Sequence, residues 1–323
     1  MASFLLTPAV HSSEIPSGIV AVLPSQLESG TYESTVIASN DDYSGRQWAI
    51  PKIMAPQAWE VTSGANNVVI AVLDTGIDKE QVDLVGKVIA EVNFTDSPTT
   101  DDIYGHGTHI AGIIAAWAGN DTGVAGLAHD CRLMNVKVAD DQGRFYNSVA
   151  AKGVRWAVDH GARVINMSLV NTAPSPILEE AINYAWNKGV VVVAAAGNLV
   201  GTKIMYPAYY SNCIAVAATD SNDYVVSWSS QGDWVDVAAP GVDIYSTLPG
   251  NHYGCKSGTS MAAAHVSGLA GLLFAVESDK NHDGFVNDEV RAAIENCCDG
   301  LNVSGVKGRI NAFQAVNGAL TSR

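Results

Sequence analysis

Apolar runs and amphipathic segments alternate along the chain from about residue 66 onward. Runs that are mostly apolar are typical of strands buried on both faces of a parallel sheet. Five runs fit this description: residues 68–73, 133–138, 163–169, 190–196 and 214–218. Helices are predicted between them, over residues 106–117, 147–160, 175–189 and 259–276. This alternation predicts an α/β fold with a mainly parallel central sheet covered by helices on both faces.

Three short motifs place reactive side chains where such sheets carry their active sites, at the carboxyl ends of strands. Asp74 ends the first apolar run, His106 lies between two glycines at a helix start, and Ser260 opens a long apolar helix. A serine hydroxyl is a weak nucleophile until a base takes its proton, and a buried carboxylate must orient that base. Each motif alone is a common turn, loop or helix cap. Together, in the order Asp, His, Ser, they predict nucleophilic catalysis.

These motifs, with the segments 183–189 and 206–212, give the chain a resemblance to the subtilisin family of serine proteases, in its thermitase-like branch. The resemblance covers about residues 41–316. It implies a three-layer subtilisin-like fold and a calcium-stabilised serine endopeptidase. In that enzyme Asp74 orients the base, His106 is the general acid and base, and Ser260 attacks the scissile carbonyl.

The resemblance also assigns Asn198 as the side-chain donor of an oxyanion hole, with the Ser260 backbone N–H as the second donor. From its own position after an apolar run, Asn198 is equally a turn residue. An extended substrate is expected beside residues 163–169. Its contacts are expected from two short segments: Ser168, Leu169 and Val170, and Ala195, Ala196 and Gly197.

Two departures from the family's usual pattern bear on the reaction. Val170-Asn171 replaces two glycines, which predicts a narrower cleft and a small or medium apolar residue before the scissile bond. Ala264 replaces the usual proline four residues after the serine, which removes a helix kink. A neutral variant and a shift toward acyl transfer to amines, as in a peptide ligase or cyclase, both stay open. An inactive peptide-binding relative is disfavoured by the complete Asp, His, Ser and Asn set.

Calcium is the expected structural cofactor, as one to three ions. By resemblance, the ligands of a tight site are Asp41, Asp83, Ala118, Asn120, Thr122 and Val124. The segment from residue 279 begins like an EF-hand loop, with expected ligands Asp279, Asn281, Asp283, Phe285 and Asn287. Its twelfth position is Val290, and Glu289 falls one place early, so simple helix capping by Asn287 stays open. For Asp96, Asp101 and Asp102, a weaker ion site and an exposed acidic loop both stay open.

Composition narrows the class of partner. The chain has 323 residues, 47% of them hydrophobic, and a formal net charge of −15. This apolar content excludes general disorder, and the negative charge disfavours nucleic acid. The longest nearly apolar run, residues 262–276, is too short to span a membrane. Five cysteines lack zinc-type spacing, so mostly buried thiols are expected, with one disulfide left open.

Residues 1–40 differ from the rest in being rich in Ser, Pro, Thr and Glu. We expect them to form an N-terminal extension, either a prosegment remnant or a short propeptide, that inhibits the catalytic domain of residues 41–323. No intact signal peptide is evident. We expect a secreted monomer that acts on protein or peptide substrates, without nucleic-acid or membrane partners; a cytoplasmic enzyme is the alternative.

Overall fold

The computed structural model describes residues 3–4, 39–303 and 305–321. The strands are β1 (Ser3–Phe4), β2 (Val69–Asp74), β3 (Val88–Asn93), β4 (Arg132–Lys137), β5 (Arg144–Phe145), β6 (Val164–Met167), β7 (Val191–Ala195), β8 (Cys213–Thr219), β9 (Val237–Pro240), β10 (Ile244–Leu248), β11 (His252–Lys256), β12 (Cys298–Asp299) and β13 (Arg309–Ile310). The helices are α1 (Ala49–Lys52), α2 (Ala55–Trp59), α3 (Gly107–Ala115), α4 (Asn147–Asp159), α5 (Pro176–Trp186), α6 (Thr259–Phe274), α7 (Asn287–Asn296) and α8 (Ala312–Thr321).

The central sheet has nine strands in the order β12-β13-β9-β8-β7-β6-β2-β4-β3. All neighbouring pairs are parallel except β12 with β13. Two antiparallel pairs lie outside it, β10 with β11 and β1 with β5. Because the inner strands are parallel, their carboxyl ends meet along one edge of the sheet.

The two faces of the sheet pack against different helices. Ile70 and Val72 of β2 belong to the core cluster that includes α3 and α6. Ala71 and Leu73, which alternate with them, belong to the cluster that includes α4 and α5. Side chains along a strand point to opposite faces in turn, so this strand is buried on both sides. The three-layer α/β fold is therefore confirmed.

All five predicted strands and all four predicted helices are present, with ends shifted by three residues or fewer. The edge strand β3 was not predicted, because its solvent-facing positions break up the apolar pattern. No helix in the described ranges is long and apolar enough to cross a membrane. All five cysteines lie within residues 39–303, and all are free thiols. The extension predicted for residues 1–40 lies almost wholly outside the described residues and stays a prediction.

Candidate active site

His106 stands at the N-terminus of α3, directly against the end of β2. Its Nδ1 lies 2.8 Å from Oδ1 of Asp74, and both side chains are buried. The Thr75 backbone N–H also donates to that carboxylate oxygen, at 2.8 Å. Glycine is needed after the histidine, because a Cβ on Gly107 would lie 2.1 Å from the Gly76 carbonyl oxygen. A hydrogen bond between these two groups restricts the orientation of the imidazole ring.

Ser260 reaches the same edge of the sheet from the second position of α6. It is 6% exposed, and its carbonyl accepts a hydrogen bond from the Ser168 hydroxyl at 3.1 Å. The parallel register of β6 with β2 pairs Asn166 with Val72, and Ser168 and Asp74 each lie two residues beyond that pair. The fold therefore brings Asp74, His106 and Ser260 to one edge. The serine also begins a helix, where the dipole and free N–H groups favour negative charge.

Asn198 lies beside the start of α6 in a fixed orientation. Its Oδ1 accepts hydrogen bonds from the Thr259 backbone N–H at 2.9 Å and from the Thr259 hydroxyl at 2.8 Å. The same hydroxyl accepts from the Gly197 N–H at 3.0 Å. These bonds turn the Asn198 Nδ2 toward residue 258, where a Cβ on Gly258 would lie 3.3 Å from it. The amide donor and the helix N-terminus are therefore close together.

Comparison with known proteins shows which family this chain belongs to. The model of the subtilase family matches residues 65–312. The chain belongs to the subtilase family. Thermitase from Thermoactinomyces vulgaris is 48% identical over 282 residues, which cover 86% of this chain and 98% of that protein. Subtilisin BL from Lederbergia lenta is 40% identical over 271 residues, 83% of this chain and 97% of that protein.

A solved structure agrees with the sequence comparison. A protease from Pseudoalteromonas arctica PAMC 21717 matches with a TM-score of 0.79 and 28% sequence identity, over 87% of this chain and 99% of that chain. The protein is therefore a subtilisin-like serine endopeptidase with the subtilisin-like three-layer fold.

The residues expected to contact substrate in this subtilase are all buried; they are Ser168, Leu169, Val170, Ala195, Ala196 and Gly197. Val170, 8% exposed, packs in the same core cluster as Ala195 and Met205. A Cβ on Gly197 would lie 2.9 Å from the Met205 Cγ. The chain after Val170 is tied down, because Asn171 and Tyr206 exchange two backbone hydrogen bonds of 2.7 and 2.8 Å. The Met205 side chain and the Ser230 hydroxyl thus occupy the space beside Gly197.

Asp41 and Asp83 meet at the loop of residues 118–124. The Asn120 backbone N–H donates to Asp41 Oδ1 at 3.0 Å, and the Asn120 Nδ2 donates to Asp83 Oδ1 at 3.2 Å. Val124 donates its backbone N–H to Asp83 Oδ2 at 2.9 Å. Burial raises the pKa of Asp83, and the Asp41 carboxylate raises it further. The other two residues predicted for this site lie in the same loop: Ala118 and Thr122.

The acidic loop before His106 does not converge on an ion site. Asp102 is buried, and its Oδ1 accepts from the Thr75 hydroxyl and the Gly105 N–H at 2.8 and 2.7 Å. Asp96 and Asp101 are exposed. Asp102 is therefore not an exposed loop residue. It anchors the loop that carries the histidine, and burial raises its pKa.

The EF-hand-like loop is folded as a compact turn, but Asn287 points away from it. Its Nδ2 donates to the Trp186 carbonyl at 3.2 Å, at the end of α5. The helix α7 begins at Asn287 without a side-chain cap, so capping by this residue is wrong. Glu289 contacts the loop instead, through the Lys280 N–H at 2.8 Å. Across the described residues, no three Asp, Glu, His or Cys side chains already converge as a metal centre.

Sequence patterns did not identify the residues that hold the site together. Thr75, Asp102 and Thr259 act through contacts between distant segments. Lys137 is fully buried, and its ammonium donates to the carbonyls of Thr75 at 2.7 Å and Asp101 at 2.8 Å. A lysine inside an apolar strand run was a usable signal, because a buried charge needs polar partners.

Proposed function

We propose that this endopeptidase cleaves protein and peptide substrates through an acyl-enzyme on Ser260, with His106 as the general base and Asp74 as its orienting carboxylate. The observation that carries the proposal is the buried 2.8 Å contact between His106 Nδ1 and Asp74 Oδ1, at the edge that Ser260 also reaches.

The sequence of steps follows from that contact. With its Nδ1 proton directed at Asp74, the imidazole has Nε2 as its basic nitrogen, which takes the Ser260 hydroxyl proton as Oγ attacks the carbonyl carbon. Asn198 Nδ2 and the Ser260 N–H stabilise the oxyanion of the tetrahedral intermediate. His106 then returns the proton to the leaving amine. In the second half, the same histidine takes a proton from water as the water oxygen attacks the acyl carbon, and it then gives that proton to Ser260 Oγ as the bond to the serine breaks and the acid leaves.

A serine-directed phosphonyl fluoride tests this assignment by intact mass. We expect one adduct on the wild type and none on Ser260→Ala. Ser257→Ala is the matched control, because Ser257 lies three residues earlier and bonds Asp243 instead; it should keep the adduct. An adduct that survives in Ser260→Ala would contradict the proposal. The same spectrum reports whether residues 1–40 are present on the reactive form.

Acyl transfer to amines is the second candidate activity. It is supported by Ala264, which is fully buried in α6, a helix that runs without a break from Thr259 to Phe274. A straight first turn sets where Ser260 points, and displacements of about 1 Å at a reacting atom can change rates about 100-fold. We propose that the balance of water and amine as acceptors depends on this residue.

Asp41, Asp83 and Asn120 fit a bound Ca²⁺, which prefers carboxylate, amide and carbonyl oxygens. Both carboxylates lie buried against Asn120, Asp41 at its backbone N–H and Asp83 at its side-chain Nδ2, and a cation would offset their mutual repulsion. Ala118, Thr122 and Val124 would add carbonyl oxygens. The ion would tie residues 39–46 to the loop of residues 118–124, where the Tyr43 N–H already donates to the Gly123 carbonyl at 2.8 Å.

Asp83→Asn tests this calcium site. In wild type we expect Ca²⁺ to raise the melting temperature by several degrees over the chelated form, as saturating ligand stabilises by about 3 kcal/mol at 100 times its Kd. The variant should lose most of that rise. In chelator it should melt no lower than wild type, because it relieves repulsion from Asp41. An equal calcium response in both proteins would argue against the site.

We further propose a secreted monomer held latent by residues 1–40. The reasons are the family's usual synthesis with an inhibitory prosegment and the similarity of the catalytic domain to thermitase. Active protein recovered from culture medium should begin near residue 41 and elute as a monomer. Full activity in molecules that retain the extension would contradict an inhibitory role.

A further inference from the structure

The loop between α6 and α7 directs oxygen atoms toward its own centre. Asp279 Oδ1 accepts from the His282 N–H at 2.6 Å, and its Oδ2 accepts from the Gly284 N–H at 2.9 Å. Asn281 Nδ2 contacts Asp283 Oδ2 at 3.3 Å and Asp288 Oδ2 at 2.7 Å. Several carboxylates and one amide side chain therefore share a segment of about ten residues.

Glu289 supplies an independent observation. It lies at the start of α7 and is only 9% exposed. Its Oε1 accepts from the N–H groups of Lys280 and Asn281, at 2.8 and 3.3 Å, so the carboxylate is directed into the loop. Its Oε2 is buried without a hydrogen-bond partner among the described residues, and so is Oδ1 of the adjacent Asp288. Buried carboxylate oxygens without a partner are costly unless a cation compensates them.

We propose that residues 279–289 form a second Ca²⁺ site, in which Glu289 replaces the acid that an EF-hand loop carries at its twelfth position. The ligands are the side chains of Asp279, Asn281, Asp283 and Glu289 and the carbonyl of Phe285. This site is distinct from the Asp41–Asp83 pair, and it does not rest on the catalytic assignment.

The shift by one position follows from packing. The twelfth residue, Val290, is fully buried in the main core cluster, so it faces the protein interior. The helix turns about 100° per residue, so Glu289 lies on a different face from Val290. No three acidic side chains converge among the described residues, so ion binding would draw the carboxylates of Asp279, Asp283 and Glu289 together, with the Asn281 amide and the Phe285 carbonyl completing the ligand set.

Such an ion would join two helices that are far apart in the chain. Phe285 packs against Gly189 beyond the end of α5, where a Cβ on Gly189 would lie 2.4 Å from the Phe285 Cδ1. Asn287 bonds the Trp186 carbonyl of the same helix. With the loop fixed by Ca²⁺, both contacts would be maintained, and the start of α7 would stay in contact with the end of α5. The expected effect is on local opening of this region.

Calcium stoichiometry tests the proposal on the full chain, in a Ser260→Ala background that prevents self-cleavage. After chelation and titration with Ca²⁺ alone, Glu289→Gln and Asp279→Asn should each bind one ion fewer than the parent, or bind it at least about 10-fold more weakly. Glu180→Gln is the matched control, because this glutamate is 76% exposed and pairs with Arg155 on α4; it should bind like the parent. Unchanged binding in both loop variants would overturn the proposal.

Hydrogen exchange on the Ser260→Ala parent, without any substitution in the loop, supplies a test that does not depend on whether the loop variants fold. At free Ca²⁺ about ten times the Kd, amides of residues 279–289 should exchange about 10-fold more slowly than in chelator. Protection confined to residues 39–46, 83 and 118–124 would show that only the Asp41–Asp83 site binds, and would overturn the proposal. If Glu289→Gln lowers the stability by the same amount in Ca²⁺ and in chelator, Glu289 only caps the helix, and the proposal is overturned.

Discussion

Thr259 restrains Asn198 through its backbone and its hydroxyl, so the proposed oxyanion donor is only as well placed as this threonine. Its hydroxyl accepts a hydrogen bond from the Gly197 backbone N–H and donates one to the side-chain Oδ1 of Asn198. Thr259 itself touches no reacting atom in this assignment. It is a positioning residue, and its effect should fall on the rate of the chemical step.

Thr259→Val keeps the shape of the side chain and removes the hydroxyl. We expect kcat to fall about 10-fold with KM nearly unchanged, because a full loss of one oxyanion donor costs about 10²–10³ and Asn198 is only loosened here. Thr259→Ser should keep kcat near the wild-type value. Steady-state kinetics on a peptide ester measure kcat and KM for each variant. Equal losses in the Val and Ser variants would indicate packing rather than positioning.

Val170 is the residue on which the predicted narrower cleft rests. It shares a buried cluster with Met205, whose side chain packs over Gly197. Val170→Gly should therefore raise kcat/KM for a substrate with Phe before the scissile bond, relative to one with Ala, by about 10-fold or more. Ala58→Gly, a buried substitution in α2, is the stability control and should leave this ratio unchanged. A ratio that does not move in Val170→Gly would show that other residues set the preference.

The helix α6 is the element through which we propose that the balance of hydrolysis and acyl transfer is set. In a regular helix the Ala264 N–H donates to the Ser260 carbonyl, which also accepts from the Ser168 hydroxyl at 3.1 Å. A proline at 264 removes the first of these bonds, while the second stays. The fold can therefore accommodate proline here at a lower cost than at a neighbouring helix position.

Ala264→Pro should lower the free energy of unfolding by about 1 kcal/mol, whereas Ala263→Pro should lose about 3 kcal/mol or more. If Ala264 favours amine acceptors, the proline variant should also give a smaller share of aminolysis product when a peptide amine is present. Product masses measure that share. An unchanged share would mean that Ala264 is a neutral variant and would remove the ligase hypothesis.

At the level of elements, the sequence predicts strands that are buried on both faces, and it does not predict strands that are only partly buried. The β2 run is apolar at every position before Asp74, so both its existence and its end could be predicted. In β3, Ile89 and Glu91 face solvent, and the run does not stand out. Thr75 and Asp102 are joined across a turn that no local pattern specifies. Such contacts depend on the assembled sheet, which is why the supporting residues were missed.

At the scale of the whole molecule, burial lowers the pKa of His109 and His265 far enough to keep both imidazoles neutral at neutral pH. Burial lowers the pKa of His109 to about 3 and that of His265 to about 4, against an ordinary value near 6.5. Between pH 6.5 and about 4 the unfolded chain therefore binds these protons and the native protein does not. Because the unfolded state binds more protons, stability falls as the pH is lowered through this window.

His265→Asn tests this account, since the amide can still donate to the Met261 carbonyl that the ring nitrogen contacts at 2.9 Å. With saturating Ca²⁺ and the Ser260→Ala background, denaturant unfolding should be measured from pH 4.5 to 6.5. Each buried imidazole contributes a slope of up to about 1.4 kcal/mol per pH unit. The variant should show a shallower slope by about that amount. Parallel curves for the two proteins would refute the assignment.

The order in which the chain is made also matters for when its chemistry becomes available. Ser260 follows seven of the nine strands of the main sheet, and β12 and β13 come later still. Asp74 and His106 leave the ribosome long before their proposed nucleophile exists. During most of its synthesis, a nascent chain therefore lacks the proposed nucleophile and cannot cut itself or its neighbours. Because this serine comes late in the sequence, self-digestion is delayed until the fold that resists it is nearly complete.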